Sequence, residues 1–426
     1  MQEKMKRYLK NLPREIKNLI ALVEEVSRET KMPAYLVGGF PRDLILGVKD
    51  WDLDITVEGD GIKFAEIMAN KLNTGLVKHQ RFGTATLTLG HRLKVDIATT
   101  RKEIYPSSAC LPQVSPGSIR EDLLRRDFTI NAMAVSLSGK SGRELIDVYC
   151  GKDDLMAGKI RILHDLSFKD DPTRILRAIR FKQRYNFKIE PKTLNLLKEA
   201  VSAGLLSKVH PHRTRDELVL MFKEKDPSAQ IKQLHVLGGL SFISDKLKPG
   251  KYTYDLFKSI NKEIVWFMQN FPFHGKFEAW LVYFAALLKT LTLMQGKKII
   301  RRLGLSKQEE IKILSCRKIN QRLIQRLENK NIKPAQIFNL LKPFSYEGII
   351  LLRSASRERV FKKHIADFLK IYNCARLCTS GDDLCRLGVS PGPLYHKILN
   401  KVLAARLNGK VSSRQDELAL INKIIK

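Results

Sequence analysis

The sequence is short of acidic charge. Its 426 residues carry 44 Asp and Glu against 76 Lys and Arg, a formal net charge of +32. Long apolar runs are missing too. None approaches the roughly 18 residues a membrane-spanning helix requires, so no span is predicted. Without a membrane anchor, the polyanion such a charge favours is nucleic acid. Cysteine is sparse: Cys110, Cys150, Cys316, Cys374, Cys378 and Cys385 lie mostly far apart, with no paired metal-type spacing. The opening stretch "MQEKMKRYLKNLPREIK" is too charged for a secretory signal, so the thiols read as reduced in a cytoplasmic protein. The spacing of Cys374 and Cys378 predicts the apolar face of a helix. No simple repeat and no low-complexity segment is present, which excludes a solenoid and a disordered linker.

Hydrophobic residues make up 44% of the chain, enough for ordinary globular cores, and its length predicts two to four domains. Residues 14–30 form an amphipathic helical pattern around Ile16, Leu19, Ile20, Leu22 and Val23. From Tyr35 the texture changes to short strands broken by glycine: "AYLVGG", "LDITV", "GTATLTLG", "LKVDIATT", then "INAMAVSL". Asp60-Gly61 opens a helix between two of them. Beyond about residue 155 strand signals almost vanish and helical periodicity carries on, with breaks at "EKDPSAQ", "KLKPGKY" and "NIKPAQ". Between Gly296 and Lys342 there are thirteen Lys and Arg against three acids, a basic helical surface facing nucleic acid.

The stretch "YLVGGFPRDLILGVKDWDLDITV" carries the chemistry, with Asp50, Asp52 and Asp54 in alternation. Aspartate is a poor strand former, so this pattern needs a cause. Residues two apart on a strand share a face, which sets Asp52 and Asp54 side by side with Leu53 and Ile55 buried behind. Two carboxylates held together repel unless a cation lies between them. Oxygen ligands with open positions suit Mg²⁺ and substrate phosphates. Asp96, in "LKVDIAT", supplies a third carboxylate, and the three together suit a two-metal phosphoryl displacement. Upstream, Gly38-Gly39 precede a short helix predicted to start at Pro41 and stop at Gly47. Glycines at a strand-to-helix turn let backbone N–H groups reach phosphate oxygens, and Arg42 stands where a guanidinium could clamp them.

"GGFPRDLILG" followed by "WDLDI" resembles the first motif of the nucleotidyltransferase superfamily. More narrowly it resembles the class II tRNA nucleotidyltransferases and the bacterial poly(A) polymerases. Further motifs follow in order: "RRDFTINAM" (125–133), "LIDVYCGKDDLMAGKIRIL", "DDPTRILRAIRF" and "RTRDEL" (213–218). The resemblance covers residues 35–218 well and the remainder loosely. It implies that Asp127 meets the ribose 2′-hydroxyl, with Arg125, Arg126 and Asn131 around sugar and phosphates. Gly151, Asp154 and Arg161 mark its linker between head and neck. It assigns Asp170, Asp171, Arg174 and Arg177 to the nucleotide-selecting helix, although the family usually shows Glu-Asp where this chain has Asp170-Asp171. It also implies a lever for switching from C to A addition within 101–122, a turn-rich stretch expected to be a mobile loop. The tail "GDDLCRLGVSPGPLYHKIL" resembles that of several members, implying a grip on the acceptor and T stems of tRNA.

The selecting helix can also be read without the family. Asp171-Pro172 is an ordinary helix start, and it places Arg174 in the first turn. An aspartate accepts from an exocyclic amine while an arginine donates to a ring nitrogen or carbonyl. Cytosine and adenine carry that amine; uracil and guanine do not present it there. A protein pocket of this kind discriminates without a template. His164-Asp165 reads as structural, and "HPHR" (210–213) as a loop before the bracing helix.

The fold expected is a mixed α/β head followed by an all-α neck, body and tail. The divisions are a catalytic head at 1–155, a neck with the selecting helix at 156–255, a basic body at 256–345 and a tRNA-binding tail at 346–426. The function expected is addition of CMP and AMP from CTP and ATP to the tRNA 3′ end, releasing pyrophosphate. Asp52, Asp54 and Asp96 are the catalytic carboxylates and Asp52 and Asp54 the Mg²⁺ ligands. Gly38, Gly39, Arg42, Arg125, Asp127, Asn131, Asp170, Asp171, Arg174 and Arg177 bind nucleotide. No membrane and no protein partner is expected. Relatives that add only A, add only CC, or polymerise A share these pocket residues, so they stay open. Two other classes remain: a catalytically idle RNA-binding module, and a transferase acting on a small molecule, which would not need so basic a chain.

Overall fold

The computed structural model describes residues 5, 8–49, 52–80, 83–89, 93–138, 143–272 and 277–425; Asp50 lies outside them. The chain divides into two compact units, Met1–Leu218 with Val236–Phe242 and Val219–His235 with Ile243–Lys426.

The first unit begins with α1 (Arg14–Thr30), whose Ile16, Leu19, Ile20 and Val23 are buried as the pattern requires. β1 (Ala34–Val37) leads through Gly38 into α2 (Gly39–Leu46), which closes on Gly47 in the left-handed region. The helix starts two residues earlier than Pro41, because Gly38 at φ 71° turns the chain by itself. β2 (Leu53–Val57) follows, then α3 (Gly61–Leu72), capped by the Asp60 carboxylate on the Ile62 and Lys63 N–H groups. β3 (Leu76–His79), β4 (Thr84–Leu89) and β5 (Leu93–Thr99) complete one side of the sheet. Among the described residues the sheet has seven strands in the order β3-β4-β5-β2-β1-β8-β9, with β8 at Ala134–Ser136 and β9 at Leu145–Ile146. β2 and β5 are parallel and the other pairs antiparallel. Leu36, Leu53, Ile55, Val95 and Ile97 point away from the polar face and pack with Phe64 and Met68 of α3 and Val23 of α1.

Residues 101–116 are not a structureless loop. They form a hairpin of β6 (Arg101–Ile104) and β7 (Gln113–Pro116), because Arg101, Glu103 and Tyr105 alternate and are tied by hydrogen bonds to Glu103. A capping box at Ser118 and Glu121 then opens α4 (Ile119–Leu124). Past residue 155 the described residues are helical, with their connections, apart from one parallel pair, β10 (Lys159–Ile160) with β11 (Lys188–Ile189). The linker before it packs α5 (Gly151–Met156) so closely that a Cβ on Gly151 would lie 2.1 Å from the Thr129 carbonyl oxygen. α6 (Ser167–Asp170), α7 (Thr173–Tyr185), α8 (Pro191–Ser202) and α9 (Pro211–Lys223) follow. His212 and Arg213 therefore sit in the first turn of α9, not in a loop, since Pro211 suits a helix start.

The second unit is helical. Phe222, Phe257, Tyr283 and Phe284 form an aromatic cluster in its core. Glu263 is buried there between Arg353 at 2.5 Å and Lys362 at 2.6 Å, and Arg353 stacks on Trp266. Cys374 and Cys378 are exposed, one in a 3₁₀ turn and the other in the following loop. The helix expected to carry them ends at Lys370, so they form no core face. Among the described residues no helix is long and apolar enough to cross a membrane.

Candidate active site

A cavity of about 770 Å³ opens in the first unit, walled by the β1–α2 turn, β2, β6, the Arg125–Asn131 segment and the facing ends of α7 and α9. It gathers Gly38, Gly39, Arg42, Asp54, Arg125, Asp127, Asn131, Asp171, Arg174 and Arg177.

Asp54 stands on β2, whose neighbours Leu53 and Ile55 are each 1% exposed. Gly38 faces it: a Cβ there would meet Asp54 Oδ2 at 3.0 Å and Arg126 Nη1 at 3.2 Å. Burial pushes the Asp54 carboxyl up to about 6, and the neighbouring Asp52 adds to the effect. Asp52 lies just before the strand and is exposed. Asp96 is paired in register with Asp54 on β5, where Thr86 Oγ1 donates to it at 2.5 Å. It lines a second cavity of about 380 Å³ that also takes in Asp54.

Arg42 is 6% exposed and far more engaged than an open clamp. Its Nε and Nη2 donate to Asp43 at 2.9 and 2.7 Å, and Nη1 donates to Asn131 Oδ1 at 2.5 Å. Its guanidinium lies 4.9 Å from the Tyr185 ring centroid and 5.6 Å from that of Phe181.

Asp127 is the most constrained acid in the cavity. Oδ1 accepts from the Phe128 N–H and from Asn131 Nδ2, and Oδ2 from Arg177 Nε and Nη2 at 2.8 and 2.6 Å. Burial pushes its carboxyl up, but the Arg177 charge and the Asn131 hydrogen bond outweigh that and hold it at about 2. Arg177 continues to Glu217, which also accepts from Arg180 at 3.2 Å. Asp122, fully buried, pairs with Arg125 at 2.7 Å and Arg126 at 2.8 Å, while the Arg126 Nε has no hydrogen-bond partner.

At the far end Asp171 accepts from the Thr173 N–H and hydroxyl on Oδ1 and pairs through Oδ2 with Arg213 at 2.8 Å. It thus binds the Thr173 N–H at the start of α7, and it lines the cavity. Arg174 is held by Ser167 Oγ at 2.6 Å and the Arg125 carbonyl at 2.7 Å, leaving further N–H donors. Asp170 does not join them. It turns toward His164, 3.9 Å away, and does not line the cavity. Sequence reasoning passed over Tyr105, Phe181 and Asp122. The alternation "RKEIY" was the available sign of a strand, but nothing local says which face it shows.

Two segments match family models, a poly A polymerase head domain over residues 34–161 and a probable RNA and SrmB-binding site of polymerase A over 186–246. The chain is 31% identical over 94% of its length to the A-adding tRNA nucleotidyltransferase of Halalkalibacterium halodurans, covering 90% of that protein. It belongs to the family of tRNA nucleotidyltransferases and bacterial poly(A) polymerases. The A-adding tRNA nucleotidyltransferase of Geobacter sulfurreducens is 37% identical over 96% of this chain. The chain spans only about half of that relative, 47% of its length. The Thermotoga maritima CCA-adding enzyme complexed with tRNA(CCA) superposes with a TM-score of 0.76 at 33% identity, covering 99% of this chain and 98% of the other. The mixed sheet followed by helices is thus the fold of this family.

Proposed function

We propose that this chain is a template-independent tRNA nucleotidyltransferase that builds or repairs the 3′ CCA end, adding CMP and AMP from CTP and ATP and releasing pyrophosphate. The supporting observation is one cavity that joins the glycine turn, the Asp54 carboxylate, the Asp127 and Arg177 cluster, and Asp171 with Arg174. Residues 1–155 act as the catalytic head, 156–255 as the neck, 256–345 as the basic body and 346–426 as the tail gripping the acceptor and T stems. The protein works in the cytoplasm.

The N–H groups after Gly38 and Gly39 approach the triphosphate, with the start of α2 behind them. Arg42 faces the same region but is fixed by Asp43, Asn131 and two rings, so it offers a pre-set charge instead of a swinging clamp. Asp127 and Asn131 meet the sugar. About four acceptor sites of the Asp127 carboxylate are already filled, so a ribose hydroxyl entering there replaces one of its donors. Asp171 and Arg174 read the base edge. Each good bidentate contact discriminates by about 1–3 kcal/mol.

Mg²⁺ would be held by Asp52 and Asp54, with Asp96 alongside. One or two carboxylates, with water and phosphate oxygens completing the shell, suit that cation. The raised Asp54 carboxyl fits as well, because a neighbouring cation offsets both its burial and its repulsion from Asp52. When bound, the metal neutralises charge on the phosphoryl oxygens and activates the attacking hydroxyl.

The test is incorporation of labelled CTP and ATP on tRNA transcripts ending at the discriminator base, after one C and after two. Asp52→Ala plus Asp54→Ala serves as the blank. Both nucleotides added in place, with a stop after A, is the expected result; silence in every lane would sink it. A second reading, A addition alone, draws on the A-adding names of the Geobacter sulfurreducens and Halalkalibacterium halodurans relatives. It predicts ATP incorporation on the CC-ending transcript and none elsewhere.

A further inference from the structure

The second unit carries a cavity of its own, about 510 Å³ in volume. It lies between α10 (Gln321–Glu328) and α11 (Pro334–Leu341) with the turn that follows. Lys318, Arg322 and Arg326 line it and are exposed, and Leu340, Pro343 and Phe344 give it an apolar wall. We propose that this cavity binds a free nucleoside polyphosphate, its base against the apolar wall and its phosphates on the three cations. The inference goes beyond nucleotidyl transfer in the head and does not depend on it.

The cations are the first observation. Arg322 and Arg326 are four residues apart on one helix, a spacing at which like charges share a face and repel. A nearby carboxylate would relieve this, yet the cavity is lined by no Asp or Glu. Among the described residues none of the three cations makes an ion pair or a side-chain hydrogen bond. The head cavity is built the other way: Arg42, Arg125 and Arg177 are each paired with an aspartate. Cations that converge on a concavity without an internal counter-charge are completed by an anion from outside.

The apolar wall indicates which anion. A bare phosphate leaves Leu340, Pro343 and Phe344 in water. An RNA duplex offers its backbone and keeps its bases paired inside, so it leaves them there too. A nucleotide covers the wall and the cations together. Phe344 is fixed by close packing, since a Cβ on Gly348 would lie 3.1 Å from its ring. Stacking on an aromatic ring accepts any base, because every base has a π-face. Asn320 accepts the Leu323 N–H at 2.9 Å and keeps its Nδ2 as a donor. Asn339 makes no side-chain hydrogen bond among the described residues and offers both donor and acceptor to a base edge. The volume falls within the roughly 300–1,000 Å³ of ordinary small-ligand sites.

The experiment is equilibrium dialysis of labelled GTP without RNA. It compares the wild type with Arg322→Ala plus Arg326→Ala, and with Asn339→Trp, which fills the cavity and keeps the cations. All three positions are exposed, and melting curves verify folding. GTP is the probe because Asp171 and Arg174 in the head suit cytosine and adenine instead. The expected result is GTP uptake by the wild type, with a Kd raised at least about 10-fold in each variant. Tripolyphosphate leaves the apolar wall bare and is expected to compete about 10-fold less well than GTP. Equal competition would leave a row of cations without a base seat and overturn the proposal. GTP binding unchanged in both variants would place the nucleotide in the head and overturn it as well. So would a wild type that takes up no GTP; if the same variants then weaken binding of a tRNA transcript, the cavity belongs to RNA.

Discussion

Two carboxylates in the same cavity behave in opposite ways. Asp54 is pushed up to about 6 and Asp127 is held down at about 2. Burial acts on both in the same direction, so the difference lies in their partners. Asp127 receives an arginine fork, an amide and a backbone N–H, which together outweigh desolvation. Asp54 has guanidiniums in its surroundings but faces Asp52 and Asp96 as well. One wall of the cavity is electrostatically closed by the protein itself. The other stays open to a positive group, where binding changes the charge balance most. A wall neutralised by the protein itself and a wall responsive to added positive charge suit a site that positions one substrate while chemistry proceeds at the other end.

The largest effect expected is on turnover. Asp54→Asn removes the open carboxylate and is expected to lower nucleotide incorporation by at least about 10³-fold in a gel extension assay. The same variant is expected to melt a few degrees higher than wild type at pH 7.5 with chelator, because the penalised buried charge is gone. A lower melting temperature would break the comparison at once.

Asp127→Asn is expected to do the reverse to stability. It removes one of the two carboxylates paired with Arg177 and should cost about 1–3 kcal/mol in a urea titration. A loss below 1 kcal/mol would mean that the wall is not closed by this pair.

The pH dependence sharpens the contrast, and its sign differs between the two acids. Folded Asp54 holds a proton up to about 6, above its unfolded value of 3.8, so its contribution weakens the fold as pH rises through that window. Folded Asp127 at about 2 lies below 3.8, so its stabilisation is present above 3.8 and lost as pH falls toward 2. Melting curves of wild type and Asp54→Asn should therefore separate between about pH 4 and 6 and stay apart above. Millimolar Mg²⁺ with ATP should raise the melting temperature of wild type and leave Asp54→Asn nearly unmoved.

The smallest effect concerns Arg42. Tyr185→Phe removes a 3.4 Å hydrogen bond to Asp43 while keeping the ring under the guanidinium, and is expected to cost less than about 1 kcal/mol. Tyr185→Ala removes the ring as well and should raise the KM for ATP several-fold, in steady-state kinetics at saturating tRNA.

Local features were readable from the sequence. α1 shows its buried stripe, Asp60-Gly61 opens α3, and the glycine turn and Asp54 fall where the cavity forms. These depend on residues within a turn or a strand of each other, and short-range geometry follows from residue type. The errors came where a partner far along the chain decides. The hairpin at 101–116 was read as a loop, since its stabilising partner Arg125 lies outside it. Cys374 and Cys378 fit a helical spacing but fall beyond the helix end.

By itself the sequence determined the type of chemistry: clustered carboxylates beside a glycine turn, an aspartate and arginine at a helix start, and a large positive charge. Tertiary structure decided the state of each group. Asp127 and Arg177 lie 50 residues apart and Arg42 and Asn131 lie 89 apart, yet these pairings set which acid is neutralised and which cation is fixed. The physical reason is that a charge in a low-dielectric cavity takes its properties from whatever packs against it.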